Sequence, residues 1–323
     1  MRKNGLYFAH IFLLFSFFGC GSIQKMAVGT TASILREGSK EIETERDWDV
    51  FKQALPASIK TMEALLYVSP DNEDLLSSLV KGYTAFAYGI NETLYLNDYY
   101  AENDSTYYKS KAESQYSRAV SYGLRFLKNE GVSYDDLSNA LSNGGEKSIA
   151  KLLGDELSDD QKTLEMVLFT AQAWGGLINL KKSIPLMAQA PIIKGMFDWV
   201  CSEDPKILFG ICDVLLAVYD LGRPKTFGGN PQRGRKSLLK FIDQNPENYM
   251  ARVTLMQFWS IPSSDKKSFD SHSRFLTTAG REFGKKKHWE PSNQPPKMSR
   301  QNLFNAIALK RFKIMRKYEK EFF

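Results

Sequence analysis

Catalysis commonly rests on a nucleophile beside a base, a metal-ligand cluster, or a loop shaped for phosphate, and few residues of this chain could supply any of them. Histidine is scarce: His10 lies in an apolar N-terminal stretch, and His272 and His288 have no Cys, Asp or Glu at ligand spacing. No metal site is therefore expected. No Gly-x-Ser-x-Gly elbow occurs, nor a Gly-x-x-x-x-Gly-Lys-Ser/Thr loop. The run Gly144-Gly145-Glu146-Lys147-Ser148 has the end of such a loop, but Leu141 and Glu146 stand where its two glycines belong. The acidic runs Asp135-Asp136 and Asp155 to Asp160 lack the Gly and Glu of an EF-hand. They read as turns and helix starts, where carboxylates complement the helix dipole. The expectation is a chain with no catalytic centre, no metal and no cofactor.

Cysteine carries a different message. Residues 1–20 run from a basic start (Arg2, Lys3) through an apolar stretch, Ile11 to Phe18, to Gly19-Cys20-Gly21-Ser22. The charge and length are those of a secretory signal, and the stretch is short of the ~20 apolar residues of a membrane span. The ending resembles a bacterial lipobox, although Phe17 and Phe18 depart from its usual residues. Cys20 is thus the expected lipid attachment site, and residues 21–323 the mature domain, anchored to a membrane and facing the periplasm. Cys201 and Cys212 would then lie in a disulfide-permissive compartment, flanking a break at Asp204-Pro205. They read either as a bridge across a helical hairpin or as two small buried apolar residues.

The elements that would hold any surface in place are helices. With 43% hydrophobic and 25% charged residues, the chain has the make-up of a globular protein, and its net charge of +6 is too mild to imply nucleic acid. Helices are predicted over 25–45, 47–68, 72–91, 106–128, 161–181, 184–200, 205–221, 231–243, 246–260, 264–283 and 300–323. No strand pattern appears between them. Two irregular segments are expected, an insertion at 92–105 and a basic, Pro-rich crossing at 284–299. From Arg281 onward, 12 Lys/Arg stand against 4 Glu, which reads as a solvated helix end or as a patch for an anionic partner.

A repeat underlies the helices. Forward from Pro70, Leu76, Leu79, Val80 and Tyr83 occupy the opening-helix positions of a tetratricopeptide hairpin, and Ala112, Tyr116 and Ala119 its second-helix positions. Around Pro205 the set is Ile211, Val214, Leu215 and Val218. Around Pro246 it is Gly234, Leu238 and Phe241 before, and Leu255, Met256 and Trp259 after. Small residues let paired helices approach, and large ones fill the gap between units. The predicted fold is all-α, stacked antiparallel hairpins in a TPR-like superhelix.

Between those packing positions lie the residues expected on the concave face. They are Ser77, Lys81 and Thr84; then Phe209, Cys212, Leu216 and Tyr219; then Met250, Val253 and Gln257. The second and third sets are apolar, which suggests a groove for an apolar ligand, a partner protein or a second copy of the chain, unless a neighbouring helix covers them.

Several stretches resemble the T-component family of TRAP (tripartite ATP-independent periplasmic) transporter systems. These are Gly29 to Gly38, Ala54-Leu55-Pro56-Ala57, Ser69 to Asn72, Gly82-Tyr83 with Ala85 to Tyr88, Ala171 to Gly175, and Phe227 to Pro231. The resemblance implies a non-enzymatic TPR-like lipoprotein that helps a periplasmic solute-binding protein deliver small organic solutes. The alternative of a different class is a structural adaptor in envelope assembly with no small ligand.

Overall fold

The computed structural model describes residues 20–223, 225, 228–285 and 299–323. Residues 1–19, most of the expected signal region, together with Phe227, His288 and most of the basic crossing, lie outside the described residues. Those described form helices and turns, with no strand among them. Side-chain caps set several helix starts. Asp47 accepts from the amides of Asp49 and Val50 at the head of α2 (Trp48–Val68), which follows α1 (Cys20–Ile42). Asn72 caps α3 (Glu73–Ala85).

The insertion expected at 92–105 is mostly helix. Beyond α3 the chain continues through a π-helical segment (Phe86–Glu92) into α4 (Thr93–Tyr100), with αR geometry at both junctions. Leu96 and Thr93 are buried there, so packing overrides the polar look of the segment. Next come α5 (Tyr107–Asn129) and α6 (Tyr134–Glu156). The sequence reading missed α6 because Gly144-Gly145 looks like a loop. A capping box between Ser133 and Asp136 starts it, and both glycines leave helical geometry midway, Gly145 with φ +67°. Asp160 caps α7 (Gln161–Lys181). The helix predicted over 184–200 is two, α8 (Ile184–Met187) and α9 (Ala190–Glu203). The rest are α10 (Ile207–Leu221), α11 (Pro231–Gln244), α12 (Tyr249–Leu255) with a second π-helical segment (Met256–Ser260), α13 (Lys266–Lys285), α14 (Asn302–Lys317) and α15 (Glu319–Phe322).

Neighbouring helices pair antiparallel at several places. Ile59 of α2 faces Gly82 of α3, and Phe51 faces Gly89 in the π-helical segment beyond it. In α10 and α11, Gly210 faces Phe241 and Gly234 lies on the Ala217 carbonyl, 2.7 Å from where a β-carbon would sit. Gly176 lies equally close to the Tyr116 ring between α7 and α5. Elsewhere the order departs from a simple stack. The α6 helix packs along α9, in parallel, with Ile149 at Gly195 and Trp199 at Gly154. A disulfide joins Cys201 on α9 to Cys212 on α10, resolving the open alternative. The last long helix, α14, returns beside α2, α4 and α12, its Leu303 amide donating to the Glu43 carbonyl.

Most packing positions read from the repeat are core, while Ile211, Leu215, Val218 and Trp259 are only partly buried. Leu76, Leu79, Val80, Tyr83, Ala112, Tyr116, Ala119, Val214, Leu238, Phe241, Leu255 and Met256 are all buried.

Candidate functional site

Where α1 passes over α3 and the N-terminal end of α7, charged side chains line an open cavity of about 330 Å³. Helix α1 contributes Arg36, Glu37, Ser39 and Lys40; α3 contributes Ser77, Ser78 and Lys81; α7 and its cap contribute Asp160, Gln161, Lys162 and Glu165. Positions four apart on α1 and on α3 put Arg36 and Lys40, and Ser77 and Lys81, on facing sides. Every lining residue is polar or charged. The apolar groove was expected from the second and third residue sets, and neither contributes to this cavity.

The cations are held by carboxylates around the rim. Arg36 lies 2.9 Å from both Glu37 and Asp74. Lys81 pairs with the buried Glu43, which also takes the Arg300 guanidinium, and its ammonium stands 3.5 Å from Glu165. Lys162 pairs with Glu73. The hydrogen bond from Lys40 is the main reason the Glu37 carboxyl is held below its ordinary range. The Asp160 carboxyl is also held down: burial raises it, and bonds from Ser158, Thr163 and the α7 amides outweigh burial.

The structure does not gather the ten predicted residues into one groove. Ser77 and Lys81 face the polar cavity, while Thr84 is buried, its hydroxyl donating to the Val80 carbonyl at 2.7 Å. Phe209 and Met250 share a separate crevice with Leu208, Val214 and Phe304, apolar but of only about 20 Å³, enough for one water. Cys212 is buried in its disulfide, Leu216 is half-buried against the core, and Val253 is fully buried. Tyr219 is committed elsewhere, donating to Glu146 of α6 at 2.9 Å under the Arg223 guanidinium. Gln257 serves the interior, accepting from Arg311 at 2.9 Å. The cavity residues that sequence reasoning missed sit on α1 and at the α7 cap. Only the capping pattern of Asp160 was legible, because nothing in the sequence says that α1 crosses α3.

Arg311 organises the interior. It is fully buried and reaches the Tyr88 carbonyl at 3.2 Å, Thr93 at 3.3 Å and Glu92 at 3.0 Å, while Tyr116 donates to the other Glu92 oxygen at 2.6 Å. Both π-helical segments meet there. The wide turn of the first gives Tyr88 a carbonyl free to accept from Arg311 and Thr93, and the second presents Gln257. The cluster joins both π-helical segments, α4, α5 and α14 and opens onto neither cavity, so it is a structural hub.

Among the described residues no group of three or more His, Cys, Asp or Glu could hold a metal, and no helix is long and apolar enough to cross a membrane.

A family model described as TRAP transporter T-component matches residues 44–323. A protein of Treponema pallidum (strain Nichols), described as uncharacterized, is 24% identical over 233 residues, covering 70% of this chain and 69% of its own length. The family match begins after α1, so the Arg36 and Lys40 wall of the polar cavity lies outside it.

Proposed function

The chain belongs to the TRAP transporter T-component family, and from that premise we propose that it is a non-enzymatic accessory lipoprotein of a TRAP-type system. The family is one of transporter components, not of enzymes, and membership implies association with the cell envelope. In this reading Cys20 carries the lipid, and the helical domain faces the periplasm as a TPR-like stack. Its partner is the periplasmic solute-binding protein of the same system, and copies of the chain can associate.

The observation that carries the reading is the family match, which extends from Thr44 to Phe323. The antiparallel hairpins α2–α3 and α10–α11, with repeat positions buried at their contacts, support the TPR-like part. A two-part experiment tests it. Full-length chain, extracted from membranes with detergent, should co-purify with the solute-binding protein expressed beside it. Cys20→Ala should lose fatty-acid labelling and leave the membrane fraction. Failure of the solute-binding protein to co-purify would refute the partner, and equal labelling of wild type and Cys20→Ala would refute the anchor.

A further inference from the structure

The basic C-terminal run resolves into a stripe. On α14, Lys313, Arg316 and Lys317 are exposed and Lys310 half-exposed, at the three- and four-residue spacing that puts them on one face, and exposed Lys320 continues the stripe on α15 beyond the break at Tyr318. The opposite face of α14, with Ala308, Arg311, Phe312 and Met315, is buried. Little on the molecule neutralises the stripe. Glu319 is shared between Lys266 at 3.1 Å and Arg316 at 3.4 Å. Lys317 donates to neutral groups, Asn97 and the Tyr318 hydroxyl. Lys313 and Lys320 form no ion pair among the described residues. Tyr99, 55% exposed, packs on Tyr100, which packs on Tyr318 between Lys317 and Lys320, and is an aromatic of the kind that anchors protein interfaces.

The position of the stripe says what can reach it. Helix α1 runs alongside α3 in the same direction, since Gly29 is level with Asn72, Arg36 with Asp74 and Glu43 with Lys81. Its start at Cys20 therefore lies beyond the head of α3. The stripe lies at the other end, beside Asn97 of α4. At 1.5 Å per residue, α1 and the run from Lys81 to Asn97 together put roughly 50 Å between them. The field of an anionic membrane fades within about 10 Å. With α1 standing away from the membrane, a bilayer holding Cys20 is out of reach of this stripe, and a soluble protein in the periplasm is not.

We propose that the stripe on α14, flanked by Tyr99, is where the chain docks an acidic surface of its periplasmic solute-binding protein. This rests on the anchor and partner assigned above, and adds the surface and its chemistry. Such a contact steers encounter and weakens with salt.

The test uses full-length detergent-solubilised chain and the purified solute-binding protein of the same TRAP system, with Kd measured from about 50 to about 300 mM NaCl. Lys313→Glu with Lys320→Glu should weaken binding about tenfold or more at low salt and flatten the salt dependence. The control pair Lys128→Glu with Lys151→Glu, both exposed and away from the stripe, should leave it unchanged. The fold should hold, since neither stripe amine is paired, and equal thermal midpoints check that. If wild type binds and the stripe reversal changes nothing, this proposal falls and the partner reading stands. If wild type does not bind, both fall. If the Cys20→Ser chain binds vesicles of about 30% phosphatidylglycerol, and the reversal abolishes that, the stripe reads a membrane and the proposal is overturned.

Discussion

Single residues set how this protein responds to acid. Burial raises the Glu63 carboxyl, but bonds from Lys60, Tyr83 and Tyr122 outweigh burial and hold it at about 2. A depressed acid stabilises the fold fully above its unfolded value, near 4.5, and that contribution is lost as pH falls through about 2. His272 acts in the window above. Burial first, and then Arg252, lower it to about 4, and Arg252 Nη1 donates to its Nδ1 at 3.2 Å, a bond that needs the neutral ring. Its contribution is present above pH 6.5 and is lost as pH falls through about 4. Thermal midpoints measured against pH should therefore drop in two steps. His272→Asn should flatten the upper step and Glu63→Gln the lower, and unchanged profiles would contradict both assignments. Arg311→Met should destabilise by about 3–5 kcal/mol in urea unfolding, because it strands buried Glu92, and adding Glu92→Gln should recover part of that loss. None of these roles was visible in the sequence. His272 could be set aside as a metal ligand for want of neighbours, but its Arg252 partner is 20 residues away, and the Arg311–Glu92 pair spans 219.

The first turn of α10, where it leaves helical geometry, and its bridge to α9 hold two devices whose effects can be separated. Leu208, Phe209 and Gly210 are all left-handed, with φ of 44°, 64° and 76°. That conformation costs an L-residue roughly 1–2 kcal/mol. Only Gly210 is free of that cost, and a β-carbon there would also lie 3.0 Å from the Phe241 ring. Gly210→Ala should thus destabilise by about 1–2 kcal/mol, and a neutral result in urea melts would argue against the left-handed turn. The nearby disulfide closes a short loop, 11 residues in separation. Removing it with Cys201→Ser and Cys212→Ser should lower stability by about 2–3 kcal/mol on the chain-entropy account. Local sequence gave some of this geometry and withheld the rest. The break at Asp204-Pro205 and the caps Asp47, Asn72 and Asn230 follow from short-range chemistry, and all appear. The continuation through the π-helical segment to Tyr100 and the survival of α6 across Gly144-Gly145 depend on what packs against them. Neither has a signature in its own residues.

In the whole molecule, the repeat spacing identified the core but not the open surface. Packing positions are those where a helix must touch its sequence neighbour, so periodicity finds them. Whether the residues between them face solvent depends on distant elements. Thr84 and Val253 are covered, and Lys81 is uncovered only because α1 stands off from α3 and α7 far enough to leave a polar cavity. That cavity makes a prediction of its own. Lys81→Met would leave the buried Glu43 with Arg300 alone, and the thermal midpoint should fall, while an unchanged midpoint would show Lys81 to be free for a ligand. The central claim is that this chain serves TRAP-type transport without doing chemistry, and uptake tests it most directly. In cells that keep the solute-binding protein and the membrane subunits but lack this chain, initial uptake of the radiolabelled solute should fall by about tenfold or more, while the purified binding protein keeps its affinity for that solute. Supplying the full-length chain should restore it. Uptake that proceeds at the wild-type rate without the chain would contradict the account.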